Sequence, residues 1–335
     1  MILLAMSLYV LIRAHVFSAE PLRTAPPRHN ILSALAIAMI FLIYLFAGSA
    51  TASLGHFLPA TQRSSLVEII AGISAIIATC AFSTRWFETG ISGLGAAARN
   101  IPRGMVLGVL SFIAIIPILF IVLDTTDIVA KKITHKLPPV HPALKAMAND
   151  HSHISVALLV LIVVVIAPIS EELFFRGLIQ SWIGQKLARA TAKSTHTSDS
   201  CAGTDSSDWV PPHLADKPAV TEFQHAVDEN TSVIPVDPGL GPPLSTAVPP
   251  PRCWPQAPWL PRNRWFAILI TAAVFAGVHY LVTAGYDEWF PSLFLLGVAL
   301  GYIYERTGNI WTDITMHACF NLIPTLLVLS GVKPK

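Results

Sequence analysis

Glu171, Glu172 and Arg176 stand together in the stretch SEELFFRG, directly after the apolar run ISVALLVLIVVVIAPI. A charged side chain in a bilayer costs about 3 kcal/mol or more unless it is paired or hydrated, so its default reading is functional. Three further polar residues interrupt later apolar runs. His279 lies in FAILITAAVFAGVHYLVTAG, and His317 and Asn321 lie in WTDITMHACFNLIPTLLVL. On a helix, residues four apart share a face. Glu172 and Arg176 can therefore pair along one helix, and Phe275–His279 and His317–Asn321 repeat the spacing. Glu171 points about 100° away from Glu172. This predicts a division of labour, with Glu172–Arg176 as a support pair and Glu171 facing a cavity.

A carboxylate held away from bulk water can take a proton from a water molecule and later return it, which is general acid–base chemistry. One histidine can orient that water. A second histidine and an asparagine amide can donate to a developing oxyanion. That is a peptidase kit without a serine or cysteine nucleophile. Glutamate plus two histidines would also suit zinc with an open position, although the chain lacks HExxH. Each residue alone has a structural reading. An intramembrane histidine bridges helices, a Glu-Glu-Arg cluster forms an ion pair, and Phe275 packs and positions His279. The argument rests on three patches occurring in order in an otherwise apolar half.

The elements that must carry these residues are membrane helices. Of 335 residues 53% are hydrophobic and 13% charged, against about 25% charged in an ordinary soluble protein. The mean hydropathy is +0.59. Apolar runs of transmembrane length fall at about 1–12, 31–50, 66–83, 105–123, 154–180, 265–284, 290–304 and 311–330. The expected fold is an all-α polytopic membrane bundle of about eight helices. Residues 1–150 supply N-terminal helices without a motif. Residues 151–330 form the catalytic membrane domain, interrupted by a low-complexity insert at 190–264. The first run, MILLAMSLYVLIRAHVFSAE, lacks the positive n-region and small-residue cleavage site of a signal peptide and reads as a short membrane helix.

At 1.5 Å per residue, Glu171 lies about 26 Å along its run from Ile154, and His279 about 20 Å from Trp265. The patches can converge within the membrane. The insert is rich in Pro, Ser, Thr and Asp and reads as a disordered tether. His196, His213, His225, Cys201 and Cys253 in it match no zinc spacing. The four cysteines read as free thiols. His15, His29, His56, His135, His141, His151 and His153 read as solvated loop residues. Lys and Arg divide roughly two to one when the insert is placed in the cytoplasm, which puts both termini outside. A net charge of +2, with no basic-aromatic face, gives no reason to expect nucleic acid.

The three motifs resemble those of the CPBP family, the CAAX protease and bacteriocin-processing or ABI family, which includes the type II CAAX prenyl endopeptidase. Its EExxxR is Glu171-Glu172-Leu-Phe-Phe-Arg176, its FxxxH is Phe275-Ala-Gly-Val-His279, and its HxxxN is His317-Ala-Cys-Phe-Asn321. The resemblance covers about 154–190 and 265–325, and the insert departs from it. It implies an intramembrane endopeptidase in the plasma membrane, with the site open to the cytoplasmic side. The implied substrate is a membrane-associated peptide or protein, lipid-modified or not. Carried over by motif, Glu171 activates water with His279 assisting, His317 and Asn321 stabilise the oxyanion, and Glu172, Arg176 and Phe275 support them. The family is described both as metal-dependent and as a metal-free glutamate protease; if a metal is bound, Glu171, His279 and His317 are its ligands. Two rival functions are a non-catalytic scaffold or bacteriocin-immunity protein and a proton-coupled transporter. The first gives no reason to keep all four site residues. The second should show internal repeats, and the two halves show none.

Overall fold

The computed structural model describes residues 32–54, 60–87, 89–135, 142–150, 152–196, 260–282 and 290–332, with short pieces before residue 26. The regular elements among them are helical, as the apolar runs predict. In chain order they are α1 (Ala34–Leu54), α2 (Ala60–Trp86), α3 (Ile101–Thr134) and α4 (Pro142–Asn149). The continuous motif helix α5 follows, and then α6 (Pro261–Val282), α7 (Phe290–Thr307) and α8 (Ile310–Leu329). Met1–Thr191 and Pro258–Lys335 form one compact unit, and Ala192–Ala257 a second.

Among the described residues, six helices are long and apolar enough to cross a membrane: Ala34–Ser53, Gln62–Trp86, Gly90–Lys132, His153–Thr191, Pro261–Leu281 and Ile310–Leu329. The run expected at 290–304 does form a helix, α7, but it is not one of the six. Its last turn carries Glu305 and Arg306, and Glu305 is buried against α6 rather than offered to lipid. Most of the run at 1–12 lies outside the described residues. So does 197–259, which holds most of the insert with His213, His225, Cys201 and Cys253. The helix after the first motif continues to His196, six residues beyond the expected start of the insert. Cys80 and Cys319 are free thiols.

The motif helix α5 is not a regular α-helix. Its segments are α-helical His153–Leu161, π-helical Ile162–Ile166, α-helical Ala167–Glu172, π-helical Leu173–Gln180 and α-helical Ser181–His196. Pro168 explains the first wide turn. It has no N–H to give, and the neighbouring Ala167 N–H reaches back five residues to the Ile162 carbonyl. Wide turns of this kind gather at functional sites because they release backbone groups. In the second wide turn the Ser181 hydroxyl donates to the Arg176 carbonyl at 3.2 Å.

Small residues let the neighbouring helices approach. On α3, Gly104 and Gly108 lie one turn apart against α8. A Cβ at Gly104 would stand 2.6 Å from Trp311 Cβ, and one at Gly108 2.6 Å from the Thr312 carbonyl oxygen. This is close small-residue helix packing, and it seats the third-motif helix on a helix that has no motif. Phe112 and Leu119 of α3 continue the contact toward Leu296, Leu300 and Met316. A second cluster joins Ile40, Ala78, Leu173, Leu178, Tyr304 and Ile314, binding α1, α2, α5, α7 and α8.

Candidate active site

The first motif begins at the end of the short α-helical segment Ala167–Glu172 and continues into the wide turn. Glu172 and Arg176 are fully buried, and Glu172 Oε2 lies 3.1 Å from Arg176 Nε. The intrahelical support pair expected from the spacing is present. It also does something the spacing does not reveal. Glu172 Oε1 accepts from His317 Nδ1 at 2.8 Å, so the pair reaches across to α8 and fixes the face of that imidazole.

Arg176 has two further partners. Its Nη2 donates to the Gly297 carbonyl on α7 at 3.4 Å, and its guanidinium carbon sits 4.7 Å above the Phe275 ring centroid. A desolvated cation on an aromatic face gains about 2 kcal/mol. Phe275 is fully buried and meets Phe175 edge-on with centroids 5.2 Å apart. It also touches both histidine rings, His279 at 4.4 Å and His317 at 5.8 Å between centroids. The packing role expected for Phe275 is therefore wider than the support of His279 alone.

His279 sits in the last turn of α6. Its Nδ1 donates to the Phe275 carbonyl one turn back at 2.8 Å, since a carbonyl can only accept. That bond turns Nε2 toward Glu171, 3.5 Å from Oε2. His317 Nε2 lies 3.9 Å from the same oxygen. Glu171 is about a quarter exposed and His279 almost as much, whereas His317 is 4% exposed. The arrangement is one accessible carboxylate oxygen flanked by two Nε2 atoms, each held by a bond at its own Nδ1.

Asn321 lies one turn beyond His317 on α8. Its amide donates to the Val163 carbonyl of α5 at 2.8 Å. Val163 is in the first wide turn, and the residue five ahead of it is Pro168, so no backbone N–H reaches that carbonyl in the π pattern. The amide satisfies it and ties α8 to α5 above the site. An amide nitrogen carries a second hydrogen, which keeps a donor for other use.

Glu171, His279 and His317 are the residues that would hold a metal. Among the described residues, no group of three His, Cys, Asp or Glu side chains is set to hold one. Acid–base chemistry by the side chains themselves requires no more than the arrangement above.

Several polar residues of the membrane helices escaped the sequence reading. Gln180, one turn beyond Arg176, donates to the Gly301 carbonyl and to Glu305 Oε1, both at 3.0 Å. Glu305 in turn pairs with the buried Arg264 of α6. Asp313, fully buried, precedes His317 by one turn on α8. Glu68 lies near the start of an apolar run in α2. The four-residue spacing that groups the motifs would have reached Gln180 and Asp313. The rule that charges in apolar runs need a reason would have reached Glu68.

The model of the type II CAAX prenyl endopeptidase Rce1-like family matches residues 153–198 and 251–323. These two segments contain all three motifs, so the family resemblance read from them holds over the motif-bearing part of the chain. With the six membrane-capable helices, the match points to an integral membrane protein whose motif-bearing segments are similar to that family. No curated protein and no solved structure matches it.

Proposed function

We propose that this Rce1-like chain is an intramembrane endopeptidase in which Glu171 activates the attacking water. The observation that carries the reading is the placement of Glu171 Oε2 between His279 Nε2 at 3.5 Å and His317 Nε2 at 3.9 Å, beside a buried Glu172–Arg176 pair. A water held by Glu171 and His279 gives its proton to the carboxylate and its oxygen to the scissile carbonyl. The tetrahedral oxyanion then accepts hydrogen bonds from His317 Nε2–H and the Asn321 amide. Glu171 returns the proton to the leaving amine. Glu172, already joined to Arg176, balances the charge of an imidazolium at His317, so the donor is preorganised rather than recruited during the reaction.

The substrate we infer is a short segment of a membrane-associated peptide or protein, with a lipid-modified C-terminal segment as the first choice. The site is proposed to open toward the cytoplasmic side of the plasma membrane, and residues 151–330 to act as the catalytic domain. The rival mechanism places zinc at Glu171, His279 and His317, where it would polarise the carbonyl and its bound water. The rival functions, a scaffold or a proton-coupled transporter, gain no support from a carboxylate so closely framed by two oriented imidazoles.

The test is peptide cleavage by purified protein in detergent, comparing wild type with Glu171→Gln, each with and without a chelator. Lipidated and plain C-terminal peptides serve as substrates. General acid–base groups contribute about 10²–10⁴-fold, so Glu171→Gln should lose at least a hundredfold while unfolding at the same temperature. Equal cleavage by the variant would remove Glu171 from the role of base. Loss of wild-type activity with chelator, restored by zinc, would replace the metal-free mechanism.

A further inference from the structure

Between Glu171 and Leu178 the motif helix buries every residue except Glu171 and Phe174. Ala167, Glu171 and Phe174 stand at the i, i+4, i+7 spacing of one helix face, and all three are partly open. The open strip of α5 thus carries an aromatic ring less than one turn beyond the carboxylate proposed to activate water. Phe174 is held from both sides. Its ring meets Phe175 edge-on with centroids 5.5 Å apart, and Phe175 meets Phe275, which touches both histidine rings. From the other side Phe41 of α1 stacks on Phe174 with centroids 6.1 Å apart. Tyr44 stacks on Phe41 in turn, 6.4 Å away and 19° from parallel. An unbroken row of ring contacts leads from the motif-free helix α1 to His279.

Reach decides what can lie on this row. Phe174 is three residues beyond Glu171, no more than about 4.5 Å along the helix. An extended peptide advances about 3.3–3.6 Å per residue. A peptide whose scissile carbonyl sits at Glu171 therefore sets a side chain, one or two residues from that bond, over Phe174. Phe41 keeps 45% of its surface open, so its stacking on Phe174 leaves ring surface to spare. The two phenylalanines offer aromatic faces and no hydrogen-bonding group, which suits an apolar side chain and penalises a polar one. Rings already fixed by their neighbours lose little freedom when a ligand joins the row.

We propose that Phe174 is a specificity-determining residue, the floor of a subsite for an apolar side chain one or two residues from the cleaved bond. Phe41 is its positioning residue, contributed by the motif-free half of the chain and acting by holding the Phe174 ring. This deepens the endopeptidase reading above and rests on it. It assigns α1 a share in substrate selection as well as in packing.

The experiment reads selectivity, which a merely structural role would not move. A series of fluorescent peptides carries Ala, Leu, Trp or Asp at each position in turn. Cleavage by protein in detergent gives kcat/KM and, by mass spectrometry, the bond cut. Binding to Glu171→Gln protein gives Kd for the same peptides uncleaved. At one position within two residues of the cut bond, the otherwise native protein should prefer Leu to Ala by about tenfold, the low end for methylenes in an apolar pocket, and should disfavour Trp and Asp. Phe174→Ala opens space there, so it should flatten the Leu preference and admit Trp at that position alone. Phe41→Ala should shift the order the same way by a smaller factor. Phe174→Leu carries the same test with less loss of packing, should the alanine form not fold. Equal losses on all peptides, an unchanged order, or a changed order more than two residues from the cut bond would each overturn the proposal. Failure of the Glu171→Gln protein to bind any peptide would overturn it as well. A shift in binding order with Phe174→Ala, without cleavage by wild type, would instead sink the endopeptidase reading and leave the subsite standing.

Discussion

His317 and Glu172 are joined across α8 and α5 by a hydrogen bond of 2.8 Å. The same carboxylate holds Arg176 at 3.1 Å. Glu172 is thus the junction between the first and third motifs, and replacing it should act at a distance from the water-activating oxygen. Glu172→Gln keeps the shape and one acceptor but loses the charge that both partners need. We expect a loss of about tenfold or more in kcat/KM, since partners that orient an imidazole are worth about 10–100-fold where it serves as a ligand. Glu172→Ala leaves Arg176 buried and uncompensated, a loss of about 3–5 kcal/mol. Thermal unfolding in detergent should show both variants destabilised, since each leaves the buried Arg176 charge uncompensated, with the alanine form the worse because it also loses the acceptor for His317. An alanine variant as stable as wild type would refute the junction role.

Asn321 allows a split between two roles. If its only function is to donate to the Val163 carbonyl, Asn321→Ala orphans a carbonyl in the membrane interior and costs about 1–3 kcal/mol. If it also donates to the oxyanion, kcat falls further than the stability loss accounts for, by about 10²-fold. We expect both effects. Comparing kcat well below the unfolding temperature with the shift in that temperature tests this. A shift in stability with kcat intact would confine Asn321 to joining α8 to α5.

The motif spacing made the pairing within each helix legible, because four residues bring side chains onto one face whatever the fold. It also set Glu171 and Glu172 on different sides of the helix, and Glu172 is fully buried where Glu171 is about a quarter exposed. The cross-helix partners were not legible. That Glu172 binds His317, or that Asn321 reaches Val163, depends on how α8 crosses α5, and spacing within one helix says nothing of a crossing. The wide turns were hidden for a related reason. Pro168 signalled a local break in hydrogen bonding, but whether the helix kinks or widens is decided by the neighbours that take up the released carbonyls. The run at 290–304 does form a helix, but that Glu305, just beyond it, is a buried partner of α6 depends on packing that the run itself does not reveal.

The seat of α8 on α3 leads to a prediction about the half of the chain without motifs. Gly104 and Gly108 leave no room for larger side chains against Trp311 and Thr312. Gly108→Leu should displace α8 and with it His317, giving poor recovery of monodisperse protein and no cleavage. Gly277→Ala is the control, since a Cβ there meets nothing within 4 Å. It should be tolerated or stabilising by up to about 1 kcal/mol in a helix interior. Size-exclusion profiles of the two variants in one detergent would decide the matter. Normal recovery of active Gly108→Leu protein would mean that α3 does not set the position of α8.

The buried ion pair of Arg264 and Glu305 extends the polar ladder of α5 toward the start of α6. Gln180 donates to Glu305, and Arg264 Nη2 donates to the Ala25 carbonyl at 2.9 Å, so one cluster ties α5, α6, α7 and an N-terminal segment together. Breaking such a pair from one side leaves a buried charge and costs about 3–5 kcal/mol, whereas replacing both partners by apolar residues of similar volume is often neutral. Glu305→Ala should therefore lower the unfolding temperature strongly, and Arg264→Met should lower it as well. The double variant Arg264→Met/Glu305→Leu should recover much of the loss, short of wild type because Gln180 then lacks its carboxylate partner. Cleavage by the double variant, assayed at low temperature, should stay close to wild type, since Glu171 and both histidines are untouched. A double variant as unstable as the sum of the singles would show that the two charges act independently. Stable but inactive double-variant protein would show that the cluster also positions the first motif, through Gln180 and Arg176 on their shared helix.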